Sequence, residues 1–209
     1  MASVDGRFEM FRVSPFARTF EGRVDGEITD IDLRAAVSDT ESRVAILYTD
    51  LKHSKRLAVF DAAGKRLGDV QIPFSAEQVV FAGEVDEVMV ADPTGNAPRF
   101  AVFDVLTSPR LLWEGKSEFA TEYAVLVRPL SKGWAIYWGV EASAGKLTRW
   151  AELIGISAEN PRHPMWRVRV PVPAGGYVYS FDVSEEGKKT WLAVATDLGS
   201  LSLFRLLPK

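Results

Sequence analysis

The chain has 209 residues and a formal net charge of −3, with 47% hydrophobic residues, 25% charged residues and no cysteine. This is the composition of an ordinary globular domain, and the length allows one domain with a sizeable core, which we expect to span residues 1–209. The missing cysteines exclude disulfides, thiolate catalysis and cysteine-ligated metal sites. The acidic balance argues against a dedicated nucleic-acid surface.

Neither a secretory signal nor a membrane span is visible in the sequence. Residues 1–7 lack a basic segment followed by an apolar stretch, and no window approaches 18 apolar residues without a charge. A cytoplasmic protein without membrane contact is the expectation.

Short strands are indicated along the whole chain. Segments rich in Val, Phe, Tyr and Trp are separated by Gly and Pro about every 8 to 12 residues, a pattern typical of all-β domains. One short phrase recurs five times, roughly 43 to 51 residues apart, a period in the range of β-propeller blades. The copies are RFEMF at 7–11, RLAVF at 56–60, RFAVF at 99–103, RWAEL at 149–153 and SLSLF at 200–204.

In chain order, the first predicted elements are two strands, at 7–15 and 18–22, that parallel the third and fourth strands of later repeats. The first complete repeat is predicted as strands at 27–33, 43–49, 55–61 and 66–72. Its last hairpin turn, 61–65, places Gly64 where a positive φ is needed. The second repeat is predicted as strands at 78–82, 87–91, 99–105 and 111–115.

The third repeat is predicted as strands at 123–128, 133–139, 146–154 and 166–172, with an insertion at 157–164. The last repeat has strands at 177–183, 190–196 and 201–206 and no fourth strand. The count is therefore four of each strand, with a fifth copy of the third strand.

These repeats predict an all-β fold, a small β-propeller of four to five four-stranded blades. Propellers commonly close by pairing strands from the two termini, because closure removes free sheet edges. We therefore expect residues 18–23 to pair beside 201–206. The alternatives are an open arc with incomplete end blades and an ordinary β-sandwich.

The stretch WLAVATDLGSLSLFRL at 191–206 resembles the second and third strands of a WD-repeat blade. The dipeptides Phe60-Asp61 and Phe103-Asp104 stand where that family has Trp-Asp, and Phe204-Arg205 departs from the pattern. The family's Gly-His dipeptide is absent, since neither His53 nor His163 follows a glycine. The resemblance implies a rigid platform that binds proteins or peptides.

Metal, cofactor and catalytic signatures are weak. Asp30-x-Asp32 resembles a carboxylate pair, but alternate residues of a strand also share a solvent-facing side, and the structural interpretation is preferred. No nucleophile elbow or phosphate-binding loop is present. No catalytic, metal or cofactor-binding residue and no cofactor is predicted.

The run Trp134-Ala135-Ile136-Tyr137-Trp138 is the strongest aromatic feature. Trp134, Ile136 and Trp138 share one face of a strand, and we expect that face to pack between neighbouring blades. The other interpretation is a partner-binding patch, for which Tyr137 is a candidate.

The remaining partner-binding candidates lie in loops. Those between second and third strands are expected on one rim of the propeller, and the 157–164 insertion is the other candidate surface. These candidates, in the loops or at the strand ends beside them, are Lys52, His53, Arg56, Asn96, Arg99 and His163.

The sequence therefore predicts a non-enzymatic interaction module or scaffold subunit that binds one or more proteins, with self-association as a further option. The alternative is an enzyme or small-molecule binder that uses the propeller channel. The mostly apolar inner strands favour interaction slightly, since an enzyme needs several convergent polar groups there.

Overall fold

The computed structural model describes residues 5–13, 16–34, 42–83, 86–92, 98–117, 127–141, 148–173, 176–187 and 189–206. Within these ranges the regular structure consists of β-strands. Their bounds are β1 Arg7–Val13, β2 Phe16–Arg23, β3 Gly26–Arg34, β4 Arg43–Asp50, β5 Lys55–Asp61, β6 Arg66–Gln71, β7 Gln78–Phe81, β8 Glu87–Asp92, β9 Arg99–Asp104, β10 Arg110–Lys116, β11 Val127–Leu130, β12 Gly133–Glu141, β13 Thr148–Ser157, β14 Pro164–Pro173, β15 Val178–Glu186, β16 Lys189–Thr196 and β17 Leu201–Leu206.

Each sequence repeat forms one antiparallel sheet whose strands are neighbours in chain order. Sheet I is β3–β6, sheet II is β7–β10, sheet III is β11–β14 and sheet IV is β15–β17, while β1 and β2 form an N-terminal hairpin. The strand order confirms the four-stranded repeat. The β-sandwich alternative is wrong, because a sandwich has two sheets and the described chain has five.

All five recurring phrases lie in equivalent strands. Leu57 and Val59 lie on β5, Phe100 and Val102 on β9, Trp150 on β13 and Leu203 on β17, each strand third in its sheet. In the hairpin and in sheets I and II, the ladder between third and fourth strands also has its irregularity at the same place, whereas in sheet III it follows Gly155. It follows Met10 in the hairpin, Val59 in sheet I and Val102 in sheet II. The hairpin is therefore the outer half of a repeat.

Side chains on the third strand alternate between two cores. Ala58 and Phe60 pack with the N-terminal hairpin, whereas Leu57 and Val59 pack with sheet II. The pattern repeats one sheet later, where Ala101 and Phe103 face sheet I and Phe100 and Val102 face sheet III. Sheets I and II are thus buried on both faces by their chain neighbours.

Polar contacts link the innermost strands of consecutive sheets. The backbone N–H groups of Val79 and Phe81 on β7 donate to Asp30 and Asp32 on β3, at 2.8 and 2.7 Å. Arg128 on β11 donates through Nε to the Phe181 carbonyl of β15, at 3.2 Å. These contacts give hydrogen-bond partners to some of the backbone groups on the edges of β7, which has four residues, and β15, which has nine.

The predicted pairing between residues 18–23 and 201–206 is not formed. β2 pairs with β1, β17 pairs with β16, and no hydrogen-bonded ladder between described strands joins the two. The physical reason lies in packing: Phe8 and Phe20 hold the hairpin against Phe60, with ring centroids of Phe8 and Phe60 5.1 Å apart. The hairpin thus occupies the third-strand and fourth-strand positions preceding sheet I.

Three hairpin turns share the same backbone geometry. Residues 50–54, 61–65 and 196–200 each close with a hydrogen bond from the first N–H to the last carbonyl. Their fourth positions are His53, Gly64 and Gly199, with φ of 62°, 81° and 78°. The prediction for Gly64 is confirmed. The predicted segments 123–126, 93–97 and 142–147 lie outside the described residues.

Candidate interaction surface

The inner strands run parallel to one another, which fixes the rims of the molecule. Asp30 and Asp32 meet Val79 and Phe81 in the same order along both strands, and Arg128 and Ser131 likewise meet Phe181 and Glu185. Loops after second strands therefore share one rim with the connections between sheets. Loops after third strands lie on the opposite rim.

Lys52 and His53 lie exposed in the turn between β4 and β5, on the first rim. Beside them an open cleft of about 410 Å³ is lined by residues of the hairpin junction and of this turn, including Asp25, Asp50 and His53. A second open cleft of about 460 Å³ lies over the outer strands, lined by Arg56, Arg66 and Asp69 among others. His53 in this turn thus borders one cleft, and Arg56 at the start of the next strand borders the other.

Arg56 lines the second cleft and is held in place by a side chain of its own sheet. It donates through Nε to Asp69 Oδ1 at 2.6 Å, and the Tyr48 hydroxyl donates to the other oxygen of Asp69 at 2.6 Å. Arg66 pairs with the same carboxylate. The Asp69 carboxylate of β6 thus ties in β4 through the Tyr48 hydroxyl and β5 through the Arg56 guanidinium, which is a structural role.

Tyr137 is 1% exposed, so its predicted place in a partner-binding patch is wrong. Both faces of β12 are covered, because sheet III has packed neighbours on each side. Trp134 is fully buried and donates through Nε1 to the Val80 carbonyl at 3.0 Å, while Trp138 stacks on Phe100 with centroids 5.3 Å apart. The expected packing of this aromatic face between sheets is confirmed.

The other candidate residues do not converge. Arg99 begins β9 on the rim of Lys52, and Asn96 lies outside the described residues. His163 is exposed in the turn between β13 and β14, which lies on the opposite rim. The structure therefore places the loop candidates on at least two separate surfaces.

The acidic pair Asp30 and Asp32 has a structural position. Burial raises the pKa of both carboxyls, while the N–H donors from β7 act in the opposite direction. Burial, with Asp104 and Asp86 nearby, also raises the pKa of Glu87. Among the described residues no group of three His, Cys, Asp or Glu side chains is arranged to hold a metal ion.

Sequence reasoning missed one surface, the outer face of sheet IV. We define the terminal face as Ser180, Asp182, Ala193, Ala195, Leu201 and Leu203, which are paired across β15, β16 and β17. Leu201 and Leu203 are 76% and 68% exposed, whereas the equivalent Leu57 and Val59 of sheet I are fully buried. The alternating Leu201 and Leu203 indicate an apolar strand face, but a strand buried in the core has the same pattern.

The outer edge of β17 is also unpaired within the described chain. In sheets I, II and III the third strand pairs with a fourth, whereas β17 pairs with β16 alone. An uncovered sheet edge next to exposed leucines is a surface that proteins usually cover. No helix in the described ranges is long and apolar enough to cross a bilayer.

Comparison with solved structures identifies the fold. The structure described as BBS1N in complex with ARL6DN superposes with a TM-score of 0.57 at 14% identity, covering 95% of this chain and 58% of that chain. The β-propeller domain of the Trilobed protease from Pyrococcus furiosus aligns with a TM-score of 0.44 at 11% identity, covering 85% and 57% of the two chains. This chain therefore spans less than two thirds of either structure.

No family model and no curated protein matches the sequence. The four-stranded sheets and the first superposition establish a β-propeller fold, which confirms that part of the resemblance. Membership of the WD-repeat family stays a hypothesis. A propeller fold hosts many functions, so function has to be argued from the surfaces.

Proposed function

We propose that this protein is an interaction module, a β-propeller scaffold that binds a protein partner through the terminal face and the adjoining edge of β17. The observation that carries the proposal is the exposure of Leu201 and Leu203 on a face whose counterpart in sheet I is buried. Two such leucines beside a strand edge that no described strand pairs with offer a partner both apolar area and backbone hydrogen bonds.

Further apolar surface adjoins this face. Tyr179 lies in the irregularity between β15 and β16 and is 66% exposed, and Trp191 is half-buried with Arg205 over its ring. Tyr, Trp and Arg are the residue types that most often dominate binding energy at protein interfaces. The arrangement fits a partner whose centre lies on the leucines and whose rim reaches the aromatic residues.

The comparison is compatible with this role at a coarse level. The superposed BBS1N structure was determined with a protein partner, ARL6DN. At 14% identity the likeness supports the scaffold and carries no partner across.

Small-molecule binding has less support. Both arginines that line the 460 Å³ cleft, Arg56 and Arg66, pair with Asp69, which lines the same cleft. An interaction scaffold is therefore the function that the described surfaces favour.

The test is affinity capture with the wild-type chain and the double variant Leu201→Asp/Leu203→Asp. The matched control is Leu111→Asp/Leu112→Asp, which alters two leucines of sheet II that are 47% and 37% exposed. We expect a partner that the wild type and the control retain and that the Leu201/Leu203 variant loses, and its binding is then measured with purified components. Equal capture by all three proteins would contradict the proposal.

A further inference from the structure

The junction between sheets I and II shows how a neighbouring sheet is bound. Asp32, Ala45 and Val59 form one cross-strand row on the face of sheet I, and Ala45 and Val59 are fully buried there. The strand that covers this row is β7, whose Phe81 N–H donates to Asp32 Oδ2 at 2.7 Å. The next row has the same arrangement, with Val79 N–H donating to Asp30 Oδ2.

Each of these carboxylates accepts two backbone N–H groups from two strands. Asp32 Oδ1 accepts the N–H of Leu33 in its own strand at 2.9 Å, which leaves Oδ2 directed at the neighbouring strand. Asp30 does the same with Ile31 and Val79. The local hydrogen bond fixes the carboxylate in the orientation that receives the next sheet.

Sheet IV carries the same row. Asp182, Ala193 and Leu203 are paired across β15, β16 and β17 as Asp32, Ala45 and Val59 are paired across sheet I. Asp182 Oδ1 accepts the N–H of Val183 at 2.9 Å, as Asp32 accepts that of Leu33. Asp182 is exposed and Leu203 is 68% exposed, so no described strand covers this row.

We propose that the terminal face docks the edge strand of a partner's β-sheet, which packs on sheet IV as sheet II packs on sheet I. In this arrangement a backbone N–H of the partner strand donates to Asp182 Oδ2, and its apolar side chains cover Ala193 and Leu203. The inference rests on the proposed function and specifies the partner as a β-sheet with an uncovered edge.

Charge and shape support a strand edge as the occupant. A carboxylate with one oxygen fixed by its own backbone matches a single N–H donor, and a strand edge supplies such donors at alternate residues. The small side chain of Ala193 leaves the room that Ala45 leaves for β7 in sheet I. A face with these features accommodates a pleated strand, with its side chains fitting beside Leu203.

The probe is a capped peptide of residues 76–83, because it contains the strand that covers the equivalent row of sheet I. It is titrated into the isotope-labelled full chain and followed by NMR. We expect shift changes centred on Asp182, Ala193 and Leu203. Asp182→Ala should weaken binding by about tenfold, since one hydrogen bond to a charged group is lost.

Two matched controls isolate the hydrogen bond. Methylating the peptide nitrogen that corresponds to Phe81 should weaken binding like Asp182→Ala, whereas methylating the one that corresponds to Val80, on the opposite strand edge, should not. Glu114→Ala removes one exposed carboxylate from sheet II and should bind the peptide like the wild type. Unchanged melting temperatures show that the variants are folded.

An absence of binding, or binding that ignores both Asp182→Ala and the Phe81 methylation, would overturn the inference. Sedimentation adds one more outcome: a dimer of the chain alone that Asp182→Ala dissociates would assign the face to a second copy and overturn the partner sheet. If the peptide fails while Leu201/Leu203-dependent capture persists, the interaction function stands and the strand-docking mode falls.

Discussion

At the scale of single residues, the third strand of each repeat assigns alternate side chains to different neighbours. Phe60 contacts the hairpin through Phe8, and Phe103 has the same position against sheet I. The two rings are 3% and 1% exposed, which confirms the burial expected from the repeat. Each ring therefore belongs to the junction with the preceding sheet.

Replacing Phe103 by Ala should lower the free energy of unfolding by about 3–5 kcal/mol, because the ring leaves a cavity in the junction core. Chemical denaturation of the purified variant measures the change. Leu111→Ala, at a side chain 47% exposed, is the control and should differ little from the wild type. Equal losses in both variants would contradict the assigned role of Phe103.

The carboxyl of Asp32 gives a pH dependence with a defined sign. Burial raises its pKa, so the folded chain binds more protons than the unfolded chain between the two pKa values. The stability of the wild type relative to Asp32→Asn should therefore decrease as the pH rises from about 3 through the raised folded pKa. Denaturation curves over a pH series measure this difference.

Asp50 supplies the opposite case. The Ser54 N–H donates to its carboxylate and lowers its pKa, so its contribution is present above the unfolded pKa and is lost as the pH falls through the folded pKa. Relative to Asp50→Asn, the wild type should gain stability as the pH rises. If the stability difference from the Asn variant changed with pH in the same direction at Asp32 and at Asp50, the environment of one of the two carboxyls would be misassigned.

His53 occupies a backbone conformation that glycine adopts in the two matching turns. Left-handed φ values cost non-glycine residues free energy, although His tolerates them better than bulky residues do. His53→Gly should raise the free energy of unfolding by about 0.5–1 kcal/mol. Gly64→Ala is the converse variant and should destabilise the chain, and a stabilising Gly64→Ala would contradict the turn comparison.

At the scale of elements, the N-terminal hairpin is bound by its face, with Phe8 and Phe20 on Phe60. Deleting residues 1–24 should therefore uncover the apolar face of sheet I and cause strong destabilisation or aggregation. Thermal denaturation and light scattering measure both effects. Phe11→Ala, on the exposed face of the hairpin, should have little effect, and a soluble, equally stable deletion variant would contradict this role.

Local sequence patterns predicted most strands, because apolar alternation and turn residues repeat with each sheet. They also predicted the common third strand and the turn at Gly64. They did not predict where β2 pairs, because pairing between distant segments depends on the packing of Phe8 and Phe20, which no local pattern records. The exposure of Leu203 was missed for the same reason, since alternation identifies a face and not what covers it.

At the scale of the whole molecule, the described sheets form a series in which hydrophobic clusters join chain neighbours. One cluster joins the hairpin to sheet I, a second joins sheets I and II, and a third joins sheets II, III and IV. The polar contacts between inner strands follow the same order. Burial of the two end elements therefore depends on one neighbour each.

Stability in such a series follows the logic of a one-dimensional chain of coupled units, where each unit gains from intrinsic folding and from each junction it makes. Within the part of the chain that the structure describes, sheet IV and the hairpin have one junction apiece, so we expect them to open at lower free energy than sheet II. Amide protons of β16 should accordingly exchange faster than those of β8 at equal intrinsic rates. A partner bound to sheet IV would give that sheet a second junction and slow amide exchange in its strands. The cooperativity of unfolding would then depend on whether the partner is bound.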